Sequence, residues 1–366
     1  MKTHNNLFEQ ISSVENVEAA LYEAARGKRK KRSVIIALAN AKEIAQRISY
    51  QLKSGTWRPI EIHTAREIND GVSRKKRIIV CPEFVREQIV HHSIMRVCGP
   101  LFQRKFYAYS CGSVPGKGKD TVVKYLSKQV QDRHDAKYYT VLDIRKCYEN
   151  IRPSVAFREI RRTIRDKKVL RLFAMILRYN KVRMPDGTIK RNGLLMGMFT
   201  SPWIANILLN PLDHYIKEEL GVNTAVRYMD DICLLHSNKR KLRRAIASIE
   251  EFLAKRKLTL KRTPVIHKVD DVPIKFLGIM FRRGRLTMAS ELFLRITRIV
   301  SRIAKKPILN VHDAKRIVSY SGHFKHLDTR KAFAKYIGDK INIKKCRVII
   351  SRKERNRNAV ETGGSK

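Results

Sequence analysis

Apolar residues recur at three- and four-residue spacing through residues 1–50. Leu7, Ile11, Val14 and Val17 form one stripe, and a second runs from Val34 to Leu52. This period predicts amphipathic helices. Between the stripes lies Arg26-Gly-Lys-Arg-Lys-Lys-Arg32, a basic loop suited to touching phosphates. Residues 74–81 pass from a basic turn into a β-branched run that reads as a strand, and Pro82 ends it. Glu83 to Val97 then reads as a helix with Phe84, Gln88, His91 and Met95 on one face. Residues 138–144 predict a strand, followed by one helix over roughly 154–178. Ser201-Pro202 predicts the start of a helix reaching Leu220, with serine as N-cap and proline in the first turn. Residues 224–236 read as two short strands hinged at Tyr228-Met-Asp-Asp231. A basic helix over 240–258, a hairpin over 274–287 turning at Arg283-Gly-Arg285, and basic helices over 291–340 complete the pattern. The polar tail from Arg352 is expected to be disordered.

Charge changes this picture most. The chain has 366 residues, with 78 Lys+Arg against 33 Asp+Glu and a formal net charge of +45. Such an excess repels itself unless a polyanion offsets it, and nucleic acid is the natural polyanion. The basic residues are spread along the whole chain, which suits a long groove more than a basic tail. A hydrophobic fraction of 43% is enough for a real core. The 6 cysteines form no CxxC pair and read as reduced cytosolic thiols, not a zinc site. No apolar signal core and no run of about 18 apolar residues is present, so no membrane partner is expected and a cytoplasmic location is.

Acids in two places suggest chemistry. In Val141-Leu-Asp143-Ile-Arg-Lys-Cys-Tyr148, an apolar strand carries one carboxylate to its end. In Val226-Arg-Tyr-Met-Asp230-Asp231-Ile-Cys-Leu-Leu235, two adjacent acids sit between apolar runs. Adjacent like charges repel, and a divalent cation offsets the repulsion. Two Mg²⁺ ions roughly 3.5–4 Å apart serve phosphoryl transfer in this way, on hard oxygen ligands.

Tyr228-Met-Asp-Asp231 followed by an apolar strand resembles the active-site hairpin of reverse transcriptases. Further motifs of that family follow in its order over about residues 55–325. Arg74 to Pro82 resembles the fingers motif that grips the incoming triphosphate, with Arg77 the better match and Lys76 the second. Ser110 to Gly118 resembles the glycine-rich stretch before the palm. Asp143 with Tyr148 resembles the first palm motif, and Gly197-Met-Phe-Thr-Ser201-Pro202 with Asn206 the positioning motif. Phe276-Leu277-Gly278 resembles the primer-grip end of the palm. The resemblance implies an α+β right-hand polymerase fold: fingers, a palm with an antiparallel sheet, and a helical thumb. It implies Asp143, Asp230 and Asp231 as catalytic metal ligands, with Ile144 among the metal-binding positions. The cofactor would be two Mg²⁺ ions, for which Mn²⁺ can substitute. Tyr148 would be the steric gate against the ribose 2′-hydroxyl, and Met196 and Gly197 would line the nucleotide site. Ser201, Asn206, Arg295, Arg298 and Arg302 would contact nucleic acid.

Within the family the chain looks like bacterial or phage-encoded group-II-like enzymes, including those of diversity-generating retroelements and antiviral defence. Asn206 to Tyr215 and Ser319 to His323 carry that likeness. Two positions depart from the pattern. Met196 stands where intron-type enzymes have Gln, and Pro202 where diversity-generating ones commonly have Gln. The expected organisation is an N-terminal helical extension (1–55), fingers (56–136), palm with fingers insertions (137–287), thumb (288–345) and a basic tail (346–366). The implied partners are deoxynucleotides, a structured noncoding RNA template, the RNA–DNA duplex product, and an accessory protein or a second copy of the chain. The rival reading is an RNA-binding, maturase-like or scaffold protein that keeps a polymerase fold.

Overall fold

The computed structural model describes residues 4–69, 76–191, 193–324 and 327–352. Arg74, Lys75 and the tail beyond Arg352 lie outside them. Helices α1 (Phe8–Ser12), α2 (Val14–Ala24), α3 (Arg32–Ala39) and α4 (Ala41–Lys53) open the chain. Strands β1 (Ile62–Asn69) and β2 (Lys76–Val80) follow, then α5 (Ile89–Gln103), β3 (Ser110–Cys111) and α6 (Lys119–Gln131). Next come β4 (Tyr138–Asp143), α7 (Cys147–Asn150), α8 (Pro153–Arg161), α9 (Lys167–Arg178), β5 (Lys181–Arg183) and β6 (Ile189–Arg191). Then follow α10 (Thr200–His214), β7 (Thr224–Tyr228), β8 (Asp231–His236) and α11 (Lys239–Ala254). The remainder is β9 (His267–Lys268), β10 (Ile274–Phe276), β11 (Ile279–Arg282), β12 (Arg285–Met288), α12 (Ser290–Ala304), α13 (Val311–Gly322) and α14 (Arg330–Phe333), with a helical stretch over 343–352.

The chain forms two compact units, Met1–Lys124 with Tyr138–Ile266, and Tyr125–Lys137 with His267–Lys366. In the first unit, β3, β7, β8 and β4 lie side by side in that order, with β8 antiparallel to both neighbours. A second sheet has the order β2-β1-β5-β6. One apolar core joins α2, α4, α5, α8, α10 and α11 to the first sheet. Helix α10 buries Trp203, Ile204, Ile207, Leu208, Leu209 and Leu212, so it is apolar nearly all round and central. Helix α11 instead buries one stripe, Leu242, Ala245, Ile249 and Leu253, and Asn238 caps it. In the second unit, β10, β11 and β12 form an antiparallel sheet and α12 buries Ile296, Ile299, Val300 and Ile303.

The sequence pattern and the structure differ in four places. The helix expected over 154–178 is two, because Asp166 restarts the chain: its carboxylate accepts from Lys168 N and Val169 N and caps α9. Ser201 is not an N-cap. Helix α10 begins at Thr200, and the Ser201 hydroxyl donates back to Leu195 O at 2.7 Å. Strand β1 escapes the pattern because Ile62, Ala65 and Ile68 are separated by charged and polar residues. The hairpin at 274–288 has a third strand, turned by left-handed Leu277 and Gly278.

Asp166 also accepts from Leu7 N at 2.8 Å and Phe8 N at 3.0 Å, tying α1 to the start of α9. Burial raises its pKa, but four backbone N–H groups outweigh that and hold it below the usual carboxylate value. Its contribution to stability is therefore present above the unfolded-state pKa and lost as pH falls through the folded one. Asp166→Ala should cost at least about 1–2 kcal/mol at neutral pH, and the difference from wild type should shrink in acid. Thermal unfolding against pH measures both. Equal melting temperatures at neutral pH would refute the clamp.

Candidate active site

Strand β4 ends at Asp143, directly across from Asp231 at the start of β8, and Asp231 in turn faces Tyr228 on β7. Residues opposite one another in antiparallel strands project to the same face. Asp143, Asp231 and Tyr228 thus form one row. The β7–β8 turn is made by Met229, held in the left-handed region at φ 58°, and Asp230. Ile144 N donates to Asp230 O at 3.2 Å, fastening this turn to the end of β4. The Ile144 side chain is fully buried, so only its backbone carbonyl is of use to a metal. Lys261 N donates to Asp143 O at 2.8 Å on the other side.

The electrostatics single out Asp143 and Asp230. Burial raises the Asp230 pKa first, and the negative charge of Asp143 adds to it; Arg77 and Lys261 pull the other way without cancelling the rise. The Lys261 ammonium contacts the Asp143 carboxylate. A cation therefore already sits where two acids face each other, and the donors are hard carboxylate oxygens, which fits Mg²⁺. Among the described residues no cluster of three or more His, Cys, Asp or Glu is preassembled to hold a metal. A Mg²⁺ here would complete its shell with water and substrate phosphates, as that ion usually does.

Three segments close round the acids. Leu194 N donates to Tyr148 O at 2.7 Å and Gly193 N to Glu149 O at 3.1 Å, binding the 193–199 loop to the turn after β4. Val80 N donates to Met196 O at 2.8 Å, binding the same loop to β2. Gly193 and Gly197 make these approaches feasible. A Cβ on Gly193 would lie 2.3 Å from Ile151 O, and one on Gly197, at φ 112°, would lie 2.1 Å from Val80 O. Strand β2 brings Arg77 within electrostatic reach of Asp230, whereas Lys76 is exposed and paired with Glu67 at 2.9 Å. Tyr148 is half-buried; burial first, then the neighbouring negative charges, push its phenol pKa up and keep it protonated. Behind the loop, His91 bonds Thr200 at 2.9 Å and His92 stacks on Phe199 at 3.6 Å. Burial lowers their pKa values to about 4 and about 3, so both rings are neutral props.

Sequence reasoning missed the residue that supports the hairpin. Arg227 is 1% exposed on β7. Its Nε and Nη2 bond both oxygens of buried Asp213, each at 2.7 Å. Nη1 donates to Asn206 Oδ1 and Met229 O, both at 2.8 Å, and Nη2 to Ser110 Oγ at 3.2 Å. Asn206 Nδ2 donates to Gly112 O at 3.1 Å. Ser201 and Asn206, read from the sequence as nucleic-acid contacts, are buried and use their polar groups inside the protein. An arginine inside a strand as apolar as Ala225-Val226-Arg227 was the available signal: such a charge needs a buried partner. Arg298 and Arg302 are exposed and Arg295 half-buried on α12, opposite its apolar stripe and in the second unit. The turn at Leu277-Gly278 also belongs to that unit.

Removing one member of a buried pair strands the other. Arg227→Met should destabilise the chain by about 3–5 kcal/mol, and adding Asp213→Leu should recover most of it. Denaturant unfolding of the three proteins checks this. A single variant within about 1 kcal/mol of wild type would show that the network does not hold the hairpin.

Residues 51–281, which carry the whole arrangement round Asp143 and Asp230, match the family described as reverse transcriptase (RNA-dependent DNA polymerase). Among curated proteins, the chain is 23% identical over 213 residues to the group II intron-encoded protein LtrA of Lactococcus lactis subsp. cremoris, covering 57% of this chain and 35% of that protein. It is 24% identical over 136 residues to nuclear intron maturase 1, mitochondrial, of Arabidopsis thaliana, covering 36% of this chain and 18% of that protein. It spans less than half the length of the curated relatives it matches. Apo telomerase from Candida tropicalis superposes with a TM-score of 0.51 at 13% identity, over 76% of this chain and 60% of that one. That likeness is one of fold, and it bears out the right-hand polymerase architecture with its antiparallel sheet. With its acidic hairpin, its β4 carboxylate and its family match, the chain belongs to the reverse transcriptases, on the group-II-like side of the family.

Proposed function

We propose that the chain is an RNA-directed DNA polymerase whose metal-binding carboxylates are Asp143 and Asp230, with Asp231 beside them. The observation that carries this is the electrostatic confrontation of Asp143 and Asp230, with the cations of Lys261 and Arg77 in reach. Asp143, Asp230 and Asp231 would hold two Mg²⁺ ions, which would supply activation of the primer 3′-hydroxyl and offset charge on the leaving pyrophosphate. The chain's own residues do the rest. Arg77 attracts the triphosphate of the incoming nucleotide. The Tyr148 ring occupies the space of a ribose 2′-hydroxyl, held in register by its carbonyl's bond to Leu194 N. Gly197 lets the loop backbone come close to the nucleotide. Met196 fills space beneath it but, as a thioether, donates no hydrogen bond and accepts only weakly. That favours relaxed fidelity, in keeping with a dedicated structured RNA template copied for diversification or antiviral defence. The intron-linked relatives favour a second reading, an RNA-binding maturase-like protein, which needs no working acid pair.

Asp230→Asn separates these readings. DNA synthesis on an RNA template should fall by roughly three orders of magnitude, about 4 kcal/mol of barrier, with template–primer affinity within about twofold. The folded-state pKa of Asp230 lies above the unfolded one, so metal-free stability falls as pH rises through its titration. Mg²⁺ should raise the melting temperature of wild type at neutral pH but not that of the variant. Undiminished synthesis would sink the polymerase assignment.

Tyr148→Ala should raise ribonucleotide incorporation relative to deoxynucleotide by at least about tenfold, since about 1–3 kcal/mol of steric discrimination is removed. Steady-state incorporation with each nucleotide reads this directly. Unaltered discrimination would make Tyr148 a packing residue only.

A further inference from the structure

A cleft of about 720 Å³ opens in the first unit where the start of α8, the end of α9, β6 and the turn after α11 converge. Arg152, Arg178, Arg191 and Lys257 line it, and the single acid is Glu149. All four cations are exposed. Among the described residues no carboxylate pairs with any of them, whereas Glu149 already lies 3.4 Å from Lys146. Four like charges round one cleft repel each other until an anion enters. The floor is different in character. Ile151 and Leu177 are buried there, and the Phe157 ring is half-buried. Pro153 and Ser154 open the first turn of α8, and no side chain caps it. Asn180 is buried against the floor.

We propose that this cleft binds a phosphorylated nucleoside, its base against Phe157 and its phosphates among Arg152, Arg178, Arg191 and Lys257. A flat apolar surface beside concentrated positive charge matches a ligand with an aromatic base at one end and anionic oxygens at the other. The volume lies within the range of small-ligand sites. None of Asp143, Tyr148, Met196, Asp230 or Asp231 lines the cleft, so the site is distinct from the acid pair and does not rest on the polymerase reading. The two share backbone. Gly193 lines the cleft and donates to Glu149 O, one residue from the Tyr148–Leu194 bond. Occupancy therefore bears on the loop that carries Met196 and Gly197. The ligand is either a free nucleotide or one residue of a passing single strand.

Photocrosslinking of the full chain distinguishes these sources. The probes are 4-thiouridine 5′-triphosphate and a 5′-phosphorylated oligouridylate carrying one 4-thiouridine, with adducts mapped by mass spectrometry. Adducts should fall within residues 149–157 or 174–180, in wild type and in Asp230→Asn alike. Arg178→Glu with Lys257→Glu should lower the yield about tenfold through lost phosphate contacts. The matched reversal Arg243→Glu with Arg244→Glu, both exposed on α11, should leave it within twofold. Where the glutamates lower the melting temperature, Arg178→Gln with Lys257→Gln should still reduce crosslinking. Labelling by the triphosphate supports a free nucleotide, and labelling by the oligonucleotide alone supports a strand. Absence of adducts from both segments, or equal losses in the two charge reversals, overturns the proposal.

Discussion

A guanidinium buried beneath the β7–β8 hairpin holds the acidic turn in place. Arg227 makes five hydrogen bonds, to both oxygens of Asp213, to Asn206, to Ser110 and to the carbonyl of Met229. Arginine has five N–H donors in a rigid fork, so its donors are matched in number. Lysine offers three donors on a flexible stem and could not span these partners. The Met229 carbonyl belongs to the peptide that leads into Asp230. The guanidinium thus fixes that peptide, and with it the direction in which the carboxylate projects. Cys111 O accepts from Met229 N at 3.0 Å and Gly112 O from Asn206, so β3 and α10 are fastened to the same point. A charge taken out of water is costly unless paired and hydrogen-bonded; here it is both, and breaking one contact weakens the others.

That rigidity holds a local conflict. Asp230 is half-buried beside Asp143, and both effects oppose its ionisation. A sequence selected for stability alone would not place two acids there. Places where local rules are broken while the surroundings are over-determined are commonly functional. The surroundings are over-determined here, since the loop over 193–199 is bound to β2, to the turn after β4 and to α5. Gly193 and Gly197 sit at the closest approaches, where any side chain would meet a carbonyl oxygen. The neutral His91 and His92 brace the far side without adding charge.

The parts of this design that the sequence exposed are those written in local periodicity. β4, β7, β8 and α11 were legible because their apolar runs and stripes are continuous, and the acids stood out by interrupting them. The Arg227 network was not legible, because its partners lie 14, 21 and 117 residues away in the chain. Ser201 and Asn206 illustrate the same limit. Their place in the family motif was visible, yet only the packing shows that both are turned inward. The break between α8 and α9 was signalled by Asp166, a good cap, but the apolar spacing on both sides continues through it. β1 was hidden because the exposed Arg66 and Glu67 interrupt its apolar positions, and only its pairing with β2 and β5 defines it as a strand.

The charge excess also looks different once the acids are located. Asp213 is used on Arg227, Asp166 on a helix cap, Glu87 on His63, and Asp313 on Lys306 and the start of α13. Carboxylates committed to internal contacts do little to neutralise the surface, where many of the 78 basic residues remain. Attraction of this kind is blind to base sequence, because phosphates are the same everywhere. On the polymerase reading, choice must then come from shape at short range. Under that proposal Tyr148 would supply it at the sugar, the tight backbone of the 193–199 loop at the nucleotide, and the fold of the RNA for the template. A surface that grips any strand would leave selectivity to a site built of backbone and one aromatic ring, and the buried hydrogen bonds of Arg227 would keep the neighbouring acidic turn fixed while it acts.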